Sequence, residues 1–163
     1  CGKSVIALIE TAKGILNLPQ IAFAQGLHAL SYGCLDLSNE LGLNFGTPAA
    51  DTFFNRLRTD LLLHSRLNGL FPPIETVFPD FSDDDGLRRH TVFWRDMGFG
   101  GMLCIHPKQV ALAKILLQPA PEDAAFAEKV LAQAEHGRGV FQVDGKMVDA
   151  PVIARAKKLL GRG

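Results

Sequence analysis

The chain is short of the residues that would place it outside the ordinary globular class. Among 163 residues it has three cysteines, one tryptophan and one tyrosine. Cys1, Cys34 and Cys104 are far apart, odd in number and without a CxxC pair. That pattern argues against a zinc site or a disulfide framework and for free thiols in a reducing compartment. No apolar run approaches the roughly 20 residues needed to span a bilayer. Charge of one sign is missing too. The 17 basic and 17 acidic side chains balance, and no long block of like charge offers a footprint for a nucleic acid or an anionic membrane. The opening CGKSVIALIE lacks the basic-then-apolar pattern of a secretory leader. A cytoplasmic location is therefore expected. An initiating methionine is also missing, and the chain begins almost on a strand-like run, so a preceding N-terminal portion is expected.

What is present is an apolar content of 47%, enough for one domain with a sizeable core. Four short apolar runs alternate with helical stretches: Val5–Ile9, Leu27–Tyr32, Ile74–Phe78 and Met102–Ile105. Such runs read as strands covered on both faces of a parallel α/β sheet. Helices are expected from Pro19 to Ala24, over Asp51–Asn68 with Phe54, Leu57, Leu61 and Leu62 on one face, from Gly86 to Met97 behind a capping Asp85, and over Pro107–Leu117. From Pro119 onwards the composition changes. An Ala-rich helix with Pro121, Glu122 and Asp123 in its first turn leads to VFQVDGKMVD, where Asp144–Gly145 signals a hairpin or ordered loop. A short basic helix beginning near Pro151 closes the chain.

Each strand-like run delivers a polar group at its C-terminal end. Glu10 closes the first, Asp36 follows the second, Asp80 the third and His106 the fourth. In parallel α/β folds that edge is where active sites are built. Each group also has a plainer role open to it. Glu10 and Asp36 can cap helices, Asp80 sits in the solvated acidic loop DFSDDD, and His106 can be a hydrogen-bonded rim residue. Two carboxylates without a thiolate or histidine cluster point to a hard cation such as magnesium, which binds through one or two protein carboxylates.

The segments VIALIETAKG, LSYGCLDLSNELG, ETVFPD, GFGGMLCIHPKQV and DGKMVDAP together resemble the citrate lyase beta-subunit and malyl-CoA lyase family, within the HpcH/HpaI-like aldolases. The resemblance runs through nearly the whole chain. It implies an α/β fold: the second half of a (β/α)8 TIM-type barrel, about four βα units, over residues 1–118. Residues 119–163 would be a C-terminal helical and hairpin extension that in relatives reaches a neighbouring subunit. The implied activity is magnesium-dependent carbon–carbon cleavage of a short β-hydroxyacyl-CoA (citryl-, malyl- or citramalyl-CoA) to acetyl-CoA and an α-keto acid. The implied assembly is a homo-oligomer, a trimer or hexamer. By resemblance, Glu10 and Asp36 bind Mg²⁺, and Asp149 supplies a proton to the acetyl-CoA enolate, although Asp149 can equally cap the final helix.

Two positions depart from the family pattern: Leu35, where a glutamate is common, and Met102, where a basic residue is frequent. The oxyanion-binding arginine of an early strand is also missing, and Arg56, Arg58 and Arg66 on the long helix do not replace it. The isolated portion is therefore expected to be inactive, and its sheet edges are expected to drive association. Two other readings remain: a free-acid pyruvate aldolase of the hydroxy-diacid type, and a non-catalytic fragment or scaffold subunit.

Overall fold

The computed structural model describes residues 4–135 and 139–161; Cys1 lies outside them. The chain divides into two compact units, residues 1–117 and 118–163. The first contains β1 (Val5–Ile9), α1 (Ala12–Leu16), α2 (Leu18–Ala22), β2 (Leu27–Tyr32), α3 (Cys34–Leu41), α4 (Pro48–Leu67), β3 (Ile74–Glu75), α5 (Asp84–Met97), β4 (Gly101–Met102) and α6 (Pro107–Leu116). Strand and helix alternate, as an α/β chain requires when its apolar strands must be covered. No helix among the described residues is long and apolar enough to cross a membrane.

β1 and β2 pair in parallel, with Ile9 opposite Tyr32, so both strands end at the same level. β3 and β4 form a second parallel pair, with Glu75 opposite Met102. The core of this unit lies between β1, β2 and the helices. Ile9, Leu30, Tyr32 and Leu37 pack there with Leu18 and with Phe54, Leu57 and Leu61, which recur along one face of α4.

The sequence spacing puts the first two strands where they are found. The third and fourth are shorter than the apolar runs that announced them. Beyond Glu75 the β3 backbone leaves the ladder and is satisfied by side chains instead: Gln109 Nε2 donates to Phe78 O at 2.8 Å, and Cys34 Sγ approaches Val77 O at 3.9 Å. Helix starts also shift by a few residues. α4 begins at Pro48 because Thr47 accepts from Ala50 N, and α5 begins at Asp84 because Asp83, not Asp85, accepts from Gly86 N at 2.8 Å. Gly98 ends α5 with φ 102°, a left-handed backbone that glycine adopts without strain.

The second unit contains α7 (Pro121–Ala134), β5 (Phe141–Val143), β6 (Lys146–Val148) and α8 (Ala150–Leu159). β5 and β6 are antiparallel around Asp144–Gly145, both with positive φ, as a two-residue hairpin turn demands. Val143 and Val148 pack against Ala127, Val130 and Ala156 to give this unit a small core of its own.

Candidate metal-binding rim

The C-terminal ends of β1 and β2 converge because they are stitched together there. Gly33 N donates to Ile9 O at 3.0 Å, which sets the residue after β2 beside the residue before Glu10. Asp36 lies in the first turn of α3, directly beyond. The two side chains meet over Gly33. A Cβ placed on that glycine would lie 2.8 Å from Glu10 Oε1 and 3.2 Å from Asp36 Oδ2. Both carboxylates therefore border one small space, which exists because position 33 has no side chain.

Neither carboxylate forms an ion pair among the described residues. Two anions this close repel unless a cation lies between or beside them. The residues fit a hard divalent cation such as Mg²⁺, which takes oxygen ligands and keeps several waters, so that two carboxylates suffice. No group of three or more His, Cys, Asp or Glu converges on one point among the described residues. A closed, softer-ligand site of the zinc type is thus not formed by them.

Behind the rim lies a buried charged cluster. Glu75 is fully buried at the end of β3. Tyr32 Oη donates to its Oε1 at 2.5 Å, and Arg58, reaching from α4, donates from Nη2 at 2.7 Å and from Nε at 3.0 Å. Burial raises the Tyr32 hydroxyl pKa, and the Glu75 charge raises it further. Burial alone would pull Arg58 down, but the hydrogen bonds and charge of Glu75 hold it above its ordinary value. His90 Nε2 stands 3.5 Å from Glu75 Oε1. Burial lowers the imidazole's pKa despite the carboxylate, so this is an approach by a neutral ring and not an ion pair. Arg58 also lies over the Tyr32 and Phe93 rings. With Tyr32 Oη and Arg58 Nε and Nη2 directed at Glu75, and Arg58 Nη1 held by Asn55 Oδ1 at 2.8 Å, the cluster locks β2, β3 and α4 to one another.

The other sequence-identified residues sit elsewhere. Asp80 is exposed and accepts from Ser82 N and Oγ at 2.9 and 2.6 Å, bonds that lower its pKa. His106 is the N-cap of α6, with Nδ1 accepting from Lys108 N, and it stacks on Phe81 at 5.1 Å. Gln109 of the same segment is fully buried and bridges the segments that follow β3 and β4, donating to Phe78 O and accepting from Ile105 N. Asp149 caps α8 in the second unit, Oδ1 accepting from Val152 N at 3.3 Å. A surface concavity of about 710 Å³ lies along α5 between Arg88, Arg89 and Phe93, with no rim residue in its lining.

The HpcH/HpaI aldolase/citrate lyase pattern matches residues 3–107, a span that takes in Glu10, Gly33, Asp36 and the Glu75 cluster. The chain belongs to that family. It is 35% identical over 161 residues to a (3S)-malyl-CoA thioesterase of Cereibacter sphaeroides, covering 96% of this chain and 55% of that protein. It is 30% identical over 172 residues to the mitochondrial citramalyl-CoA lyase of Rattus norvegicus, covering 96% of this chain and 49% of the relative. The crystal structure of CitE from Mycobacterium tuberculosis in complex with magnesium, acetoacetate and coenzyme A superposes with a TM-score of 0.83 at 31% identity, covering 98% of this chain and 61% of that one. The chain thus spans about half the length of the family members it matches.

Proposed function

We propose that the protein containing this chain is a magnesium-dependent carbon–carbon lyase that cleaves a short β-hydroxyacyl-CoA, such as malyl-, citramalyl- or citryl-CoA, to acetyl-CoA and an α-keto acid. The observation that carries this reading is the pair of carboxylates, Glu10 and Asp36, which border one space over Gly33 and form no ion pair among the described residues. The likeness to a lyase of citramalyl-CoA and to a structure holding magnesium and coenzyme A supports it. Glu10 and Asp36 would hold the ion, which when bound supplies positive charge to the substrate's hydroxyl and carboxylate oxygens. Asp149, on the second unit, is the proposed proton donor to the acetyl-CoA carbon once the bond has broken. The rim is read as the active face of half a TIM-type barrel, completed by chain outside residues 1–163, and the protein as a homo-oligomer in the cytoplasm.

A second reading is hydrolysis of the thioester, favoured by the relatives named malyl-CoA thioesterase. The two separate by products. Intact protein given malyl-, citramalyl- or citryl-CoA with Mg²⁺ should release acetyl-CoA and a keto acid, and EDTA should stop it. Hydrolysis would release free CoA and the hydroxy acid. Glu10→Ala and Asp36→Ala should each lower turnover by about 10²–10³ without unfolding the protein; unchanged turnover in both would refute the reading.

A further inference from the structure

Among the described residues, five of the eight helices are capped by their own N-cap side chains: Thr11, Thr47, Asp83, His106 and Asp149 each accept from a backbone N–H of the first turn. The helix carrying Asp36 is not. Its N-cap is Gly33, which has no side chain to offer. The backbone there does not require glycine, since φ −99° and ψ 100° suit any residue. The surroundings do, because a Cβ would fall against the Glu10 and Asp36 carboxylates. The position best placed to cap α3 must stay empty if both carboxylates are to share one space.

The missing acceptor arrives from another strand. Thr76 Oγ1, buried at 3% exposure just beyond β3, accepts from Cys34 N at 3.1 Å. Cys34 is the first residue of α3, and Asp36 is two residues further on. Thr76 in turn follows Glu75, which Tyr32 and Arg58 fix in place. The hydroxyl is thus the link between a rigid buried cluster and the helix start that aims Asp36.

We propose that Thr76 is a positioning residue for the metal site, a cap supplied in trans that sets Asp36 against Glu10. This rests on the assignment of Mg²⁺ to those two carboxylates. Thr76 touches neither metal nor substrate in this scheme; it acts through the backbone of Cys34. Groups behind a ligand commonly contribute about 10–100-fold to metal affinity, and a lost cap loosens the first turn in which Asp36 lies.

The test uses the intact protein and Mg²⁺ itself, titrated by calorimetry into wild type, Thr76→Val and Thr76→Ser, with thermal midpoints and the exchange rate of the Cys34 amide measured alongside. Thr76→Val keeps the shape and removes the acceptor. It should raise the Mg²⁺ Kd at least about 10-fold, raise the Mg²⁺ concentration needed for half-maximal turnover, and speed exchange at Cys34. Thr76→Ser restores the hydroxyl and should return all three to within about twofold of wild type. A merely structural role would lower the thermal midpoint of both variants without this rescue. Wild-type affinity in Thr76→Val, or a loss in Thr76→Ser as large as in Thr76→Val, would overturn the proposal while leaving the two-carboxylate site standing. If wild type itself bound no Mg²⁺, the metal assignment would fall, and the positioning role with it.

Discussion

At the scale of single residues, the chain separates groups left free at the rim from groups consumed in the interior. Glu10 and Asp36 were legible in the sequence because each sits where an apolar run ends, and an ionisable group there is conspicuous. The Glu75 cluster was not legible. Glu75 lies inside the run IETVF, where alternation gives no sign that it turns inward, and its partners Tyr32 and Arg58 are 43 and 17 residues away. Arg58 on the long helix could be set aside as a substrate-binding arginine from sequence, but only the fold shows that its charge is neutralised by Glu75. His90, packed against the same carboxylate, yields a pH prediction. Its folded-state pKa lies below the ordinary 6.5, chiefly through burial and also through Arg58, with Glu75 opposing. The unfolded chain therefore binds the extra proton first as pH falls. Stability should hold above about pH 7 and decline as pH drops through about 6.5. Thermal midpoints followed from about pH 7 to below about 6.5 should fall less steeply in His90→Gln than in wild type; equal slopes would exclude His90 as the cause.

At the scale of elements, the strands β1 and β2 and the hairpin at Asp144–Gly145 follow from local pattern alone. β3 and β4 are curtailed because residues beyond Glu75 trade ladder bonds for side-chain bonds from Gln109 and Cys34, a tertiary choice that no local propensity encodes. Helix starts were misplaced where several acidic residues compete to cap, as Asp83 does ahead of Asp85. Asp149 shows how one residue can serve an element and, as proposed, a reaction. As the N-cap of α8 it stabilises the helix, and its replacement by alanine should cost about 1 kcal/mol. Asparagine caps as well as aspartate but cannot donate a carboxylic proton. Asp149→Asn should thus keep the thermal midpoint of the wild type and lose the proposed turnover in the intact protein, whereas Asp149→Ala loses both. Full turnover in Asp149→Asn would assign the residue to capping alone.

At the scale of the whole molecule, family membership covers residues 3–107, and the matched relatives are nearly twice as long as the chain. The first unit already contains a complete two-carboxylate space, held from behind by the Glu75 cluster and from the side by Thr76. Fold class and the two rim carboxylates could be read from alternation and spacing. The supports that hold them could not, because each is a long-range contact between polar residues that look ordinary where they stand. The proposed lyase depends on a divalent ion shared by Glu10 and Asp36. Crystals of the intact protein grown with Mn²⁺ in place of Mg²⁺ test it most directly, through the anomalous signal of the metal. One peak is predicted over Gly33, within about 2.0–2.3 Å of an oxygen of each carboxylate. A metal bound elsewhere, or none at that point in protein found to release acetyl-CoA and a keto acid from the acyl-CoA, would contradict it.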